Sequence, residues 1–467
     1  MRSFACVLVA MAGCVRPDGD TKTPASEAED ETGPLAIEGY GDDVAIAPDV
    51  GWSQAEPSAV ALEDGTVLAA WMHIEDSGGM WIRYSRSEDG GLTWSDPEKI
   101  DDDRYGYQND PVLVAGGGYV YFTWLAVEGS YERLTIYCSH STDGGRTWSD
   151  RVRLTEANTT NDRQWMDVAD DGRVVMTWDH FPSGNTEQQL FVESPGGCEN
   201  FGEIETVADG YFLNGVPAID ADGQIWASRH AITGRGYDTL TVFLSKKTED
   251  GWEDAEVFEG DANFLGEAED VAEDPAEEME EREEHVEEAL ARDPLALLDR
   301  VGPHFPRAVA DGEYDGTYSP TMVALPGGGL AIASLLYEDG EDVADVRFAT
   351  VRDGEVVEQV LNQDGAGNPQ AEPWLAVDPG GGIHAAWFDA RSGKWQLLGA
   401  TSLDGGETWN EYEIGDTTFR KGFDDSDPSM WVGHYQALTA TSSGVVAVWG
   451  DTRDGEASWI HADRAEP

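Results

Sequence analysis

Apolar and polar residues alternate along most of this chain with the period of half-buried strands, and the alternation sits in a recurring frame. A glycine turn is followed by alternating apolar residues that end in a large one. "DGTVLAAW" ends at Trp71, "GGYVYFTW" at Trp124 and "DGRVVMTW" at Trp178. "DGQIWASR" places Arg229 in the same column and "GGLAIASL" places Leu335 there. "GGIHAAW" and "SGVVAVW" close the series at Trp387 and Trp449. The steps between columns are 53, 54, 51, 106, 52 and 62 residues, so five are one unit and the long one is a unit plus an insertion.

Each copy carries the same order of strands. A first strand such as "PSAVAL", "DPVLVA", "VPAID" or "PTMVAL" precedes the glycine turn, and the second strand ends at the column residue. A third strand follows, as in "MWIRYSRS" (80–87), "LTIYCSHS" (134–141) and "WQLLGATS" (395–402), and then a fourth such as "RVRLTE" (151–156). Four antiparallel strands repeated about every 50 residues predict an all-β β-propeller. The last copy lacks its fourth strand, and "DDVAIAPD" (42–49) reads as the missing one. Closing the ring with a strand from the other end of the chain would remove two open edges. Seven blades are predicted, or six if one weak copy is not a blade.

The long step contains residues 261–316, which break the alternation and turn Glu- and Ala-rich. Within them 274–302 reads as an acidic helix with Asp274 as cap and Pro275 at its first position. The insertion falls between blades four and five and is expected on the same face as the loops that join blades. It reads either as a lid or docking arm, or as a solvated helix on the propeller rim.

Three turns between third and fourth strands repeat one phrase: "SEDGGLTW" (87–94), "STDGGRTW" (141–148) and "SLDGGETW" (402–409). Paired glycines allow positive φ, and the Asp and Ser side chains can accept the backbone N–H groups of a tight turn. The phrase resembles the Asp-box, or BNR repeat, of sialidase-like propellers, with degenerate copies at 194–201 and 248–252. In that family the boxes lie away from the ligand face. Ser87, Asp89, Trp94, Ser141, Asp143, Trp148, Ser402, Asp404 and Trp409 are therefore expected to staple the fold, and function is sought on the opposite face.

Charge narrows the partners. The formal net charge of −63 repels nucleic acid and anionic lipid, and favours cations or solubility in a salty medium. At the N-terminus "MRSFACVLVAMAGC" has one base, a short apolar run and small residues, the form of a secretory signal too short to span a bilayer. Its end, Met11-Ala12-Gly13-Cys14, resembles the lipobox of bacterial lipoproteins, which implies a signal over 1–14 and a lipid on Cys14. Val15 rather than Asp follows the cysteine, which by the same resemblance argues against inner-membrane retention. An exported lipoprotein, on an outer membrane or cell surface, is the expected location. Residues 15–34 are polar and acidic and read as a disordered tether, with the propeller over 35–467. Cys138 and Cys198 then remain in an oxidising compartment, as a disulfide or as two buried thiols.

Loops after the second strands bring Asp389 with Arg391, Asp451 with Arg453, and His73, Glu75 and Asp76. The two Asp-x-Arg pairs read either as part of a charged ring around a central pocket or as pairs within a blade. Segments between blades bring Tyr107, Asn109, Asp110, Arg163, Trp165, Asn214, Glu313, Tyr314, Tyr318, Glu372, His434, Tyr435 and Gln436 toward the axis. Aromatic faces with amides, acids and a guanidinium suit a sugar, which needs stacking for its C–H faces and paired donors and acceptors for its hydroxyls.

The sialidase resemblance implies an arginine triad for the sugar carboxylate, a Tyr–Glu nucleophile and an Asp acid/base. Here the family's first Arg is replaced by Ala55 in Gln54-Ala55-Glu56-Pro57, and the next by the His73–Glu75 stretch. Without guanidinium forks a carboxylate loses its bidentate anchor, and Glu56 would repel it. Asp76, Glu313, Tyr314 and Tyr318 remain as catalytic candidates. A glycosidase of another kind needs only two placed carboxylates. No transition-metal signature is present, no cofactor is required, and Ca²⁺ is the one cation the oxygen ligands could suit. Three readings follow: a monomeric non-catalytic propeller binding a glycan or other extracellular ligand, a glycoside hydrolase with a rearranged site, and an envelope structural or adhesion protein. A buried Tyr–Glu pair on the axis would favour the enzyme.

Overall fold

The computed structural model describes residues 33–466 except 49–52, 76–78, 102–106, 128–133, 157–158, 183–186, 211–214, 234–238, 262–319, 338–343, 353, 365–366, 420–431 and 454–456. The predicted signal (1–14), Cys14, most of the tether, and all but the first residue of the insertion lie outside them.

Seven four-stranded antiparallel blades form a ring. Blade one is Ser53–Ala61, Val67–Ile74, Met80–Ser87 and Glu98–Lys99. Blade two is Gln108–Gly116, Tyr119–Val127, Leu134–Ser141 and Val152–Arg153, and blade three Thr160–Val168, Val174–Phe181, Glu187–Ser194 and Glu205–Gly210. Blade four is Pro217–Ile219, Ile225–Thr233, Thr239–Thr248 and Gly251–Asp261, and blade five Thr321–Ala324, Leu330–Tyr337, Ala344–Arg352 and Glu355–Val360. Blade six is Gln370–Val377, Ile383–Asp389, Gln396–Ser402 and Asn410–Glu413. Blade seven is Ala437–Thr441, Gly444–Asp451 and Trp459–Ala465, and its outer strand is Val44–Ala45 from the other end of the chain, with Val44 opposite Ala462. First strands of neighbouring blades touch in cyclic order, so they are innermost.

The column residues explain the packing between blades. Trp71, Trp124, Trp178, Trp387 and Trp449 are among the largest fully buried side chains. Leu335 is buried in the same role. Arg229 is buried too, and its guanidinium binds Asp254 Oδ1 at 3.1 Å and Oδ2 at 2.8 Å, which satisfies the charge that replaces an indole.

The repeated turns have one hydrogen-bond pattern. In the second, Ser141 Oγ donates to Asp143 Oδ1 at 2.8 Å and accepts Gly145 N–H at 2.9 Å. Asp143 accepts Thr147 N–H at 2.9 Å and Thr147 Oγ1–H at 2.6 Å. Ser87, Asp89 and Thr93 repeat this, as do Ser402, Asp404 and Thr408. Trp148 packs edge-on to Tyr84, Trp409 edge-on to Phe348, and Trp94 Nε1 donates to Gly91 O. The second glycine of each turn seats on the preceding blade: Gly145 lies against Leu68 with φ +77°, where a Cβ would come within 2.1 Å of the leucine. Cys138 of blade two and Cys198 of the degenerate turn in blade three are joined by a disulfide.

Candidate functional site

Near the start of the innermost strands, at the end facing the loops between second and third strands, four blades share a β-bulge. The register shifts between Ala55 and Ser58, Asn109 and Val112, Asp162 and Trp165, and Ala371 and Trp374. In each bulge one non-glycine residue takes a left-handed φ near +50°: Glu56, Asp110, Arg163 and Glu372. Such conformations cost on the order of 1–3 kcal/mol each and persist where the surroundings hold them. All four are charged, and all four occupy the same step of the innermost strand on blades one, two, three and six. An amide two residues earlier helps fix each strand: Gln54 and Gln108 accept backbone N–H groups of the preceding blade's third strand, and Asn161 donates to Leu134 O.

Three carboxyls form a hydrogen-bonded chain across blades one to three. Glu56 bonds Asp110, and Asp110 bonds Asp162. Burial pushes Glu56 up to about 7, and burial with the neighbouring Asp110 pushes Asp162 up to about 7. Asp110, buried between the two, is held well above the usual carboxylate range by burial and then by the charge of Glu56. His434 of the blade-seven segment places Nδ1 3.0 Å from Glu56 Oε1. Gly433 permits this approach: with φ +104°, a Cβ there would lie 2.6 Å from Glu56 N. Arg163 acts electrostatically on Glu56, Asp110, Asp162 and Tyr435, so it is the cation common to the cluster.

The floor of the cluster is aromatic. Trp165 of blade three meets Trp374 of blade six with centroids 4.9 Å apart, and Tyr435 of blade seven meets Trp165 edge-on at 5.0 Å. Tyr435 is 7% exposed, and its hydroxyl has no hydrogen-bond partner among the described residues. Burial and then the charges of Glu56, Asp110 and Asp162 hold it well above its ordinary pKa. Gln436 donates from Nε2 to Glu372 O at 2.8 Å, tying blade seven to blade six.

Of the residues expected at the axis, the structure thus brings together Asp110, Arg163, Trp165, Glu372, His434, Tyr435 and Gln436, with Asn109 half-buried beside Asp110. Tyr107 instead packs between clusters of blades one and two, and bridges Met80. Asn214, Asp76, Glu313, Tyr314 and Tyr318 lie outside the described residues. The Asp-x-Arg pairs do not form an axial ring. Arg391 grips Asp389 at 2.8 Å and reaches outward to Glu411 on the outermost strand of blade six. Arg453 grips Asp451 at 2.9 Å and reaches Asp43 Oδ2 at 2.7 Å, beside the outermost strand of blade seven. Each guanidinium is consumed by two acids of its own blade. In the first blade Glu75 is paired to Arg83 and Lys99, and burial lowers His73 to about 4. The sequence reading missed Asp162, and took Glu56 only as a source of repulsion. Glu56 shares a Gln-x-acid neighbourhood with Asp110, a faint signal for the bulge, whereas Asp162 directly follows Asn161. Among the described residues no group of three His, Cys, Asp or Glu is arranged to hold a metal ion.

No protein-family model matches the sequence, and no curated protein does. Solved structures do match. An α-L-arabinofuranosidase of Fusarium graminearum in complex with arabinobiose is 11% identical with a TM-score of 0.51, over 91% of this chain and 98% of that one. An α-L-arabinanase of Penicillium chrysogenum complexed with arabinobiose is 13% identical with a TM-score of 0.50, over 91% and 98%. A Dyadobacter fermentans protein of unknown function is 12% identical with a TM-score of 0.50, over 92% and 100%. At this identity the likeness is one of fold, the seven-bladed β-propeller.

Proposed function

We propose that the axial face binds a carbohydrate. The observation that carries this reading is the aromatic floor of Trp165, Trp374 and Tyr435 beneath a ring of carboxyl, imidazole and guanidinium groups. Stacking surface and hydrogen-bonding groups meet there in the combination a sugar requires. The glycan-active neighbours of the same fold support it by analogy. Ala55 is fully buried where the sialidase resemblance asks for an arginine, and Glu56 beside it opposes an anionic ligand. The ligand is accordingly an uncharged or cationic sugar rather than a sialic acid. No cofactor or Ca²⁺ ion enters this reading, and the chain is taken to act as a monomer with no nucleic-acid partner.

A second reading, hydrolysis, is favoured by one feature: the buried Tyr435 lies within the field of Glu56, and burial and the charge of Glu56 hold Asp110 well above the usual carboxylate range. A carboxyl neutral at pH 7 can serve as a general acid. Exposing the purified protein to immobilised glycans and to fluorogenic arabinofuranosides and sialosides separates the readings. Capture without turnover supports binding, turnover abolished by Asp110→Asn supports hydrolysis, and neither on any sugar sinks both.

Export as a Cys14 lipoprotein, to an outer membrane or cell surface, is proposed alongside. Leu35 N donates to Asp378 Oδ2 at 2.8 Å, at the turn joining the first and second strands of blade six. That turn lies on the face opposite the axial cluster.

A further inference from the structure

We propose that the axial site selects cationic sugars, with an amino group of the ligand lodged among the carboxyls of Glu56, Asp110 and Asp162. The inference rests on the carbohydrate reading and narrows it to amino sugars.

The argument begins with charge balance. Among the described residues, Glu56, Asp110, Asp162 and Glu372 of the innermost strands stand against one guanidinium, Arg163, and one imidazole, His434. Carboxyls that hydrogen-bond one another must share protons, because two carboxylates in contact repel. Burial and mutual proximity hold all three above their ordinary range. Among the described residues, then, the carboxyls outnumber the cations around them. A metal ion could make up the difference, but among the described residues these oxygens are not arranged to hold one. An ammonium group needs only hydrogen-bond acceptors, and its charge can be stabilised by aromatic faces nearby. Trp165, Trp374 and Tyr435 supply those faces.

Tyr435 gives the second, independent pointer. Its hydroxyl is buried, has no hydrogen-bond partner among the described residues, and lies in the field of all three carboxyls. A buried hydroxyl without a partner costs about 1–3 kcal/mol, and a ligand reaching the cluster would satisfy it. Asp162, Arg163 and His434 are only partly buried, so the cluster is open to solvent on their side.

Other titratable groups around the cluster set the pH behaviour. Arg163 from blade three and His434 from blade seven oppose a cation. Glu372 from blade six favours it. His230 of blade four, under Arg163's influence, is lowered to about 3 by burial and stays neutral. Affinity for an ammonium should therefore rise as the carboxyls lose their protons and fall again where the ligand amine, a weaker base than an alkylamine because of its neighbouring oxygens, loses its own.

Calorimetric titration of the full chain tests this, with glucosamine tetramer and its fully N-acetylated counterpart as probes, in buffers of different ionisation enthalpy. At pH 7 the amine form should bind at least tenfold more tightly than the acetylated form, releasing protons as it does. Asp162→Asn should erase that preference. Tyr435→Phe, which removes only the hydroxyl, should weaken both probes without erasing it. Equal binding of the two tetramers, or tighter binding of the acetylated one, would overturn the amino-sugar inference and leave the carbohydrate reading standing. Binding of neither tetramer, with capture of some other neutral glycan, would overturn it in the same way. No glycan bound at all would overturn both.

Discussion

Trp165 and Trp374 meet across the propeller axis, from blades three and six, with their ring centroids 4.9 Å apart. Side chains on nearly opposite blades close the middle of the ring beneath the carboxyl chain. One contact therefore belongs both to the core and to the floor of the proposed site. Trp165→Ala should open a cavity there and cost about 3–5 kcal/mol. Urea unfolding of the variant would measure it, and a loss below 1 kcal/mol would mean that the pair does not hold the axis together.

The carboxyl chain should leave a signature in stability against pH. Glu56 and Asp162 are raised to about 7 in the fold, above their ordinary carboxylate values. Raised carboxyls favour the folded state while protonated. Their contribution is fully present at pH 4 and is lost as pH rises through about 7. Replacing both, as Glu56→Gln with Asp162→Asn, should flatten that part of the melting-temperature profile. A wild-type profile that rises between pH 5 and 8 by as much as the double variant's would show that the groups are not coupled to folding.

The repeated turns should behave in the opposite sense. Asp143 and Asp404 are lowered to about 2, first by the threonine hydroxyl four residues on and then by backbone N–H donors. Depressed carboxyls stabilise the fold above their unfolded pKa and lose that contribution as pH falls toward 2. The combined Asp89→Asn, Asp143→Asn and Asp404→Asn variant should melt lower than wild type at pH 7 and converge with it near pH 2. Its ligand binding should be unchanged, because these turns lie on the far face.

Cys138 and Cys198 close a loop with a sequence separation of 60 residues. Chain-entropy reasoning assigns such a crosslink about 4 kcal/mol. Mass spectrometry of a non-reduced digest should find the linked peptides, and Cys138→Ser with Cys198→Ser should lower the urea midpoint by a matching amount. Free thiols at both positions would contradict the pairing.

The ring was legible because its grammar is local: a glycine turn, an alternating strand and a large column residue recur in order. Even the closing strand near Val44 could be read, since the last copy visibly lacked one. The site was legible only in part. Nothing in the sequence announces that Glu56, Asp110, Arg163 and Glu372 adopt a left-handed φ, because such strain is imposed by the bulges and neighbouring blades. Asp162 was hidden by the more conspicuous Arg163 beside it. Arg391 and Arg453 admitted two readings, and their second partners decide for pairing within the blade. Glu411 stands on the outermost strand of blade six and Asp43 beside that of blade seven, and those acids draw the guanidiniums from the axis.

The most direct test of glycan recognition at the axial face is a calorimetric titration of a captured oligosaccharide into wild type, Trp374→Ala and Trp409→Ala. Trp374 belongs to the axial floor and Trp409 to a repeated turn on the opposite face. The account predicts that Trp374→Ala abolishes binding while Trp409→Ala leaves the affinity within twofold of wild type. Undiminished binding by folded Trp374→Ala, or binding lost only in folded Trp409→Ala, would place the ligand elsewhere and contradict it.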